Sequence, residues 1–106
     1  MGDAMAKLVV LYKTPKDKAA FDKYYNETHI PIAKQIPGLR SYEISRGPVA
    51  SLAGEAGIHL VAMLGFDSFA AAKNALSSPQ AQAAGADLPN FATGGAELLM
   101  FDAVEA

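Results

Sequence analysis

Residues 58–66 read Ile58-His-Leu-Val-Ala-Met-Leu-Gly-Phe66, and this stretch decides the fold of the chain. Its residues are apolar at both alternating sets of positions apart from His59, which is the pattern of a β-strand covered on both faces. Residues 96–104 repeat this pattern, since leucine, methionine and phenylalanine fill both sets from Leu98 to Phe101. A sheet that contains these two strands needs helices on one face and a second apolar surface on the other.

Two more strands are predicted before this stretch. Val/Leu-rich residues 6–13 end at a proline turn, and residues 39–46 alternate apolar or aromatic side chains with polar ones. The small and turn-forming residues of 47–57 indicate a loop or hairpin connection, and residues 85–95 indicate irregular structure.

The segments between the strands carry helix signals. Asp17 is the expected N-cap of the first helix, with Thr14-Pro15 as the alternative start, and Pro31 is expected to kink or restart it because proline lacks an amide and crowds the preceding turn. A second helix, capped by Asp67 or Ser68, is predicted to about residue 76. A short helix opening at Ser78-Pro79 is predicted to about residue 84.

The predicted order is β-α-β-β-α-β, which is the ferredoxin-like α+β arrangement of a four-stranded antiparallel sheet with helices on one face. The other face stays uncovered in a single chain. We therefore expect a homodimer in which two sheets pack face to face and close a dimeric α+β barrel.

Composition agrees with a small globular domain. The chain has 106 residues, of which 51% are apolar and 19% charged, with a net charge of −2. One domain is expected over residues 5–106, with residues 1–4 either disordered or added in cloning. The absence of cysteine excludes disulfides and thiolate metal sites and favours the cytoplasm. The sequence has no basic stripe, so we expect no nucleic-acid partner. It has neither a signal peptide nor a membrane span, so we expect no membrane partner.

Several motifs resemble the EthD family, named for a small protein of ethyl tert-butyl ether degradation. They cover nearly the whole chain: Lys7-Leu-Val-Val-Leu-Tyr-Lys13, Thr28-His29-Ile30-Pro31, Pro37-Gly-Leu-Arg40, Ser78-Pro79-Gln80 and Asp87-Leu-Pro-Asn-Phe-Ala-Thr-Gly-Gly95. The resemblance implies a dimeric α+β barrel, a superfamily that includes cofactor-independent monooxygenases, isomerases and cyclases. It also implies an association with the oxidation of small organic compounds, without a bound cofactor and with a monooxygenase system as a possible partner.

His29 is the first candidate for catalysis. An imidazole has an unperturbed pKa of about 6.5 and can exchange protons near neutral pH, and His29 matches the family's His-x-Pro element. Tyr25 lies four residues earlier on the same helix face and is expected to position an oxygen of the substrate. The alternative for both is a structural role in the core.

Four more residues are candidates for substrate binding: Tyr12, Tyr24, Tyr42 and His59. The two strand tyrosines have no assigned face, because strand parity alone does not say which side is interior. A histidine in an apolar strand more often has a structural role at a sheet edge or in a dimer contact, and this is the alternative for His59. No metal site is expected, since His29 and His59 would need a third ligand that no motif supplies.

Three hypotheses for function stay open. The first is an enzyme that acts on a small, largely apolar molecule in the barrel, with His29 as general acid or base. The second is a non-catalytic binding or accessory protein of a degradation pathway. The third, an assembly module, is the weakest, because it leaves the interior histidine and tyrosines without a purpose beyond packing.

Overall fold

The computed structural model describes residues 6–106, so the expectations for residues 1–4 and for the first residue of the domain lie outside the described part. Four strands form one antiparallel sheet: β1 (Ala6–Lys13), β2 (Ser41–Ile44), β3 (Ile58–Phe66) and β4 (Ala96–Asp102). Their order across the sheet is β2-β3-β1-β4. This confirms the predicted ferredoxin-like α+β fold, with β2 shorter than its predicted range.

The helices all connect strands in the predicted places. They are α1 (Lys18–Tyr24), a π-helical turn (Tyr25–His29), α2 (Ile30–Ala33), α3 (Phe69–Leu76), α4 (Pro79–Asp87) and a short 3-10 turn (Leu88–Asn90). Asp17, Ser68 and Ser78 cap α1, α3 and α4 by accepting a backbone amide three residues on. Within residues 6–106, every helix is too short or too polar to cross a membrane.

The helix does not break at Pro31, which differs from the predicted kink. The amide of Ile30 donates to the carbonyl of Tyr25, five residues back, and both His29 and Ile30 keep right-handed helical angles. The π-helical turn adds one residue to the turn before the proline. That extra residue relieves the crowding that the ring would cause in a regular α-helix.

The core lies between the sheet and the helices. Even-numbered residues of β1 and β3 face this side, from Leu8 to Tyr12 and from Leu60 to Phe66, and all of them are buried. Phe91, in the segment before β4, packs against the same core. The strand tyrosines whose face the sequence left open therefore point toward the helices.

On the opposite face of the sheet, residues 6–106 supply no covering layer. Met63 on the central strand β3 and Leu99 and Phe101 on the edge strand β4 occupy it and are 40%, 46% and 44% exposed. A group of exposed apolar side chains of this kind is typical of an interaction surface. The pattern predicted from the two-sided strands is therefore present, with a helical layer on one face and an uncovered apolar surface on the other.

A β-bulge changes the direction of one candidate residue. Tyr12 pairs with Leu60 and Lys13 pairs with Ile58, so His59 is an extra residue in β3. The bulge turns its ring toward the helical side, where it meets the ring of Phe21 edge-on at 4.8 Å.

Candidate functional site

A small cavity lies between the sheet and the helices α2 and α4. Its volume is about 80 Å³, and it is mostly apolar. Only three of its side chains are polar, namely His29, Tyr12 and Tyr42. The others are Leu8, Val10, Ala33, Ile36, Ala62, Leu64, Leu76, Ala81, Ala84, Gly85, Leu88 and Leu98. An apolar cavity with a few convergent polar groups is the usual form of a small-molecule site.

His29 meets this cavity with one of its two ring nitrogens. The ring is 4% exposed, and Nδ1 lies 2.9 Å from Oδ2 of Asp87. An ionised carboxylate only accepts hydrogen bonds, so Nδ1 donates and Nε2 of the neutral ring is left with a free lone pair. No fully buried polar side-chain atom in the described part of the chain lacks a partner, so Nε2, which makes no hydrogen bond there, keeps some accessible surface, and the His29 side chain lines the cavity.

Asp87 is held in its ionised form by three neighbours. Burial opposes its charge, but hydrogen bonds from Tyr24, Asn90 and His29 outweigh burial and keep the pKa of this carboxyl below its ordinary value. The Tyr24 hydroxyl donates to Oδ1 at 2.5 Å, and the Asn90 amide donates to the same oxygen at 2.9 Å. The carboxylate therefore orients the imidazole through Nδ1.

The π-helical turn and Phe91 fix the plane of the imidazole. The ring of Tyr25 stacks on that of His29 with centroids 5.4 Å apart, and the ring of Phe91 lies 4.6 Å away on another side. A side chain that is clamped between aromatic rings keeps one rotamer, which is what a proton-transfer group requires.

Three phenol groups gather at the cavity's other polar edge. The hydroxyls of Tyr25 and Tyr42 are 2.7 Å apart, and the ring of Tyr12 meets that of Tyr25 edge-on at 5.5 Å. Burial is the main cause that raises the pKa of all three tyrosines. They therefore stay protonated at neutral pH and can act as hydrogen-bond donors.

The predicted site residues divide into three groups. His29, Tyr12 and Tyr42 line the cavity. Tyr25 is fully buried behind it and contacts two of the lining residues, Tyr42 and Tyr12. Tyr24 is half-buried and binds Asp87 rather than the cavity, and this hydrogen bond raises its pKa.

His59, the sixth candidate, lies in a different place. It borders a larger open cleft of about 480 Å³ between α1 and the β2–β3 connection, where Nε2 lies 2.8 Å from Oδ1 of Asp22. That carboxylate is 57% exposed, so the pair is solvated. We place the candidate site in the smaller cavity, because only there do a buried His–Asp pair and phenol donors surround an apolar space.

Asp87 and Asn90 were missed as site residues by the sequence prediction. The predicted third helix ended near residue 84, whereas α4 continues to Asp87 and so carries the carboxylate to His29. A carboxylate and an amide three residues apart, in the segment before β4, were the available signal. Their partner lies 58 positions earlier in the chain, and no local pattern reports such a pairing.

The arrangement can exchange a proton at Nε2 and donate hydrogen bonds from phenols to an oxygen in the same apolar space. A mostly apolar lining strengthens both interactions. Within residues 6–106, no three histidine, aspartate or glutamate side chains come together as a metal-binding group.

Known proteins resemble the chain over most of its length. The model of the EthD domain matches residues 13–95. An uncharacterized 11.0 kDa protein from the thcB-thcC intergenic region of Rhodococcus erythropolis is 38% identical over 99 residues, covering 92% of this chain and 94% of the relative. An EthD family protein from Bacillus halodurans, whose crystal structure is known, is 34% identical, with a TM-score of 0.85 over 94% of this chain and 99% of that one.

More distant structures share the fold alone. SnoaB, a cofactor-independent oxygenase from Streptomyces nogalater, has a TM-score of 0.66 at 14% identity, covering 97% of this chain and 96% of that one. A dimeric protein of ferredoxin-like fold from Bacteroides fragilis has a TM-score of 0.63 at 19% identity, covering 92% and 95%.

Proposed function

The chain belongs to the EthD family, and from that premise we propose that it binds a small, largely apolar organic molecule in the cavity beside His29. It acts on that molecule in oxidative catabolism, with His29 as general acid or base. Tyr12, Tyr42 and Tyr25 hold or position the polar end of the molecule.

One observation carries this proposal. A buried imidazole has its Nδ1 bonded to an ionised carboxylate at 2.9 Å, while Nε2 keeps some accessible surface and the side chain lines an apolar cavity. A histidine that served packing alone would need neither a charged partner nor a free nitrogen in an empty space. The same layout fits a group that removes a proton from a bound molecule and later returns it.

The fold is compatible with such chemistry without a bound cofactor. SnoaB, which shares the fold, is named as a cofactor-independent oxygenase. We propose that this chain also acts without a bound cofactor, since His29 and phenol hydroxyls are the polar groups of the cavity. Oxygen would enter as a co-substrate, and a monooxygenase system is a further candidate partner in the same degradation.

The assembly that we propose is a cytoplasmic homodimer. The uncovered face of the sheet carries Met63, Leu99 and Phe101, and a second copy can cover it with the same apolar surface. A ferredoxin-like neighbour is described as dimeric, which supports this arrangement.

The test is His29→Gln, assayed with small ketones and phenols in air and under nitrogen, with products identified by gas chromatography and mass spectrometry. Glutamine keeps a polar side chain that can hydrogen-bond, but it does not titrate. We expect turnover to fall about a hundredfold or more while the fold and oligomer stay intact.

The matched control is His59→Gln, which removes the other His–Asp pair of the chain but lies outside the cavity. It is expected to keep the wild-type rate. Equal losses in both variants, or none in His29→Gln, would remove His29 from the mechanism. Ligand retention in native mass spectrometry without any turnover would favour the non-catalytic accessory role.

A further inference from the structure

We propose that the hydroxyls of Tyr12 and Tyr42 form a two-donor site for the oxygen of a small enolisable carbonyl compound, with Tyr25 as the residue that positions them. The inference rests on the proposed function, because it takes His29 as the base on the same cavity. It adds the class of substrate and the group that holds its oxygen.

Tyr25 lies between the two phenols that line the cavity. It has no exposed surface, its hydroxyl lies 2.7 Å from that of Tyr42, and either of these two hydroxyls can be the donor. The hydroxyls of Tyr12 and Tyr25 also interact, and this contact adds to the burial that raises the pKa of Tyr25. A ligand oxygen that accepts from both Tyr12 and Tyr42 would leave Tyr25 to donate its own hydrogen to one of them.

Tyr12 supplies the second hydroxyl. Its side chain is 2% exposed and lines the same cavity as Tyr42. Two phenols, one from β1 and one from β2, thus border one mostly apolar space, with the hydroxyl of Tyr25 behind them.

Donors and base together select the class of ligand. A lone pair on Nε2 of His29 suits removal of a proton, and two neutral phenols suit an oxygen on which negative charge develops. The combination fits a carbon acid in which a C–H bond lies beside a carbonyl group. A ligand without such an oxygen would offer the two phenols no acceptor in a mostly apolar cavity.

The volume limits the size of this ligand. A volume of about 80 Å³ is small for a ligand site, whose usual range is about 300–1,000 Å³. Acetone, one of the smallest enolisable ketones, is therefore the appropriate probe.

The step is balanced without an oxidant. Nε2 of His29 takes a proton from the carbon beside the carbonyl, the C–H electron pair becomes the C=C bond, and the carbonyl π pair moves to the oxygen. Tyr12 and Tyr42 hydrogen-bond that oxygen. In heavy water the imidazole exchanges its proton for a deuteron, and its return to carbon gives deuterated acetone.

The experiment follows deuteration of acetone in heavy water by proton NMR, with the full chain as catalyst and buffer alone as background. The wild type is expected to accelerate exchange. Tyr42→Phe and Tyr12→Phe each remove one hydroxyl while keeping the ring, and each is expected to slow the catalysed exchange about tenfold to a hundredfold. Because the two residues lie on different strands, failure of one variant to fold leaves the other as a test.

The role of Tyr25 has its own readout. Tyr25→Phe is expected to slow exchange less than Tyr42→Phe, and the double variant is expected to be no slower than Tyr42→Phe alone. Such non-additivity indicates that Tyr25 acts through Tyr42. Additive losses would overturn the positioning role.

The outcomes separate this inference from the proposed function. No exchange by the wild type, or full exchange in both the Tyr12 and Tyr42 variants, would overturn the two-donor site. Loss of exchange in His29→Gln alone would still support His29 as the base. Slower exchange in the tyrosine variants with normal exchange in His29→Gln would support the oxygen site and overturn the proposed base.

Discussion

The buried carboxylate of Asp87 ties the stability of the protein to pH. Its pKa is lowered in the folded state, against an ordinary unfolded value of about 3.9. The stabilisation is therefore fully present above about pH 4 and is lost as the pH falls through the lowered folded pKa.

We predict that Asp87→Asn lowers the free energy of unfolding at pH 7 by about 1–3 kcal/mol, because it weakens the hydrogen bonds to His29 and Tyr24. It should also make the loss of stability between pH 4 and pH 2 shallower. Urea unfolding at several pH values measures both effects. Asp67→Asn is the control, since that carboxylate binds Arg40 at the surface with 55% exposure, and a surface ion pair contributes little. Equal losses in both variants would contradict a special role for Asp87.

The sequence identified His29 and the tyrosines as candidate residues, but it did not predict which side chains hydrogen-bond to them. His29 stood out because it lies at the helix kink expected at Pro31 and matches the family's His-x-Pro element. Its link to Asp87 depends on where α4 ends and on how α2 lies against it, which are tertiary facts. The bulge that turns His59 toward the helical side of the sheet arises from the pairing of two strands, and alternation along one strand does not report it.

Among the elements, the π-helical turn is the one with a functional consequence. Pro31 favours it by removing the amide that a regular α-helix would use, so Pro31→Ala restores that donor. We predict that the variant unfolds at the same temperature or slightly higher, while turnover decreases because His29 and Tyr25 shift relative to the cavity. Thermal unfolding and the assay on small ketones measure the two effects.

Pro79→Ala is the control for this prediction, because Pro79 lies at the start of α4 where its missing amide has no helical partner. It should change neither unfolding nor turnover. A Pro31→Ala variant that failed to fold would show that the proline rigidifies the turn, and our account of it would be wrong.

Element order and caps were predictable because periodicity, proline and cap residues are local signals, as Asp17, Ser68 and Ser78 illustrate. Strand β2 is shorter than its predicted range, although the flanking amides of Arg40 and Ser45 still donate to carbonyls of β3. The π-helical turn was predicted only as a kink, since the sequence marks the strained position without saying how the helix accommodates it.

For the whole molecule, the uncovered sheet face leads to a prediction about assembly. We expect a homodimer in sedimentation at micromolar concentration, and we expect Phe101→Asp to yield monomers, because a charge buried between two sheets would be costly. Leu52→Asp is the control: Leu52 is fully exposed in the β2–β3 connection, away from that face. A wild type that sediments as a monomer, or dimers in Phe101→Asp, would contradict the barrel assembly.

The π-helical turn also sets the helical phase of this chain. A helix advances by about 100° per residue, so the one extra residue between Tyr25 and His29 leaves the segments on its two sides out of step. Removal of a single exposed residue there, such as Asn26, would return the helix to its regular phase and carry the imidazole away from Asp87. A one-residue difference in length between relatives at this point would therefore alter their chemistry, even where every flanking side chain is the same.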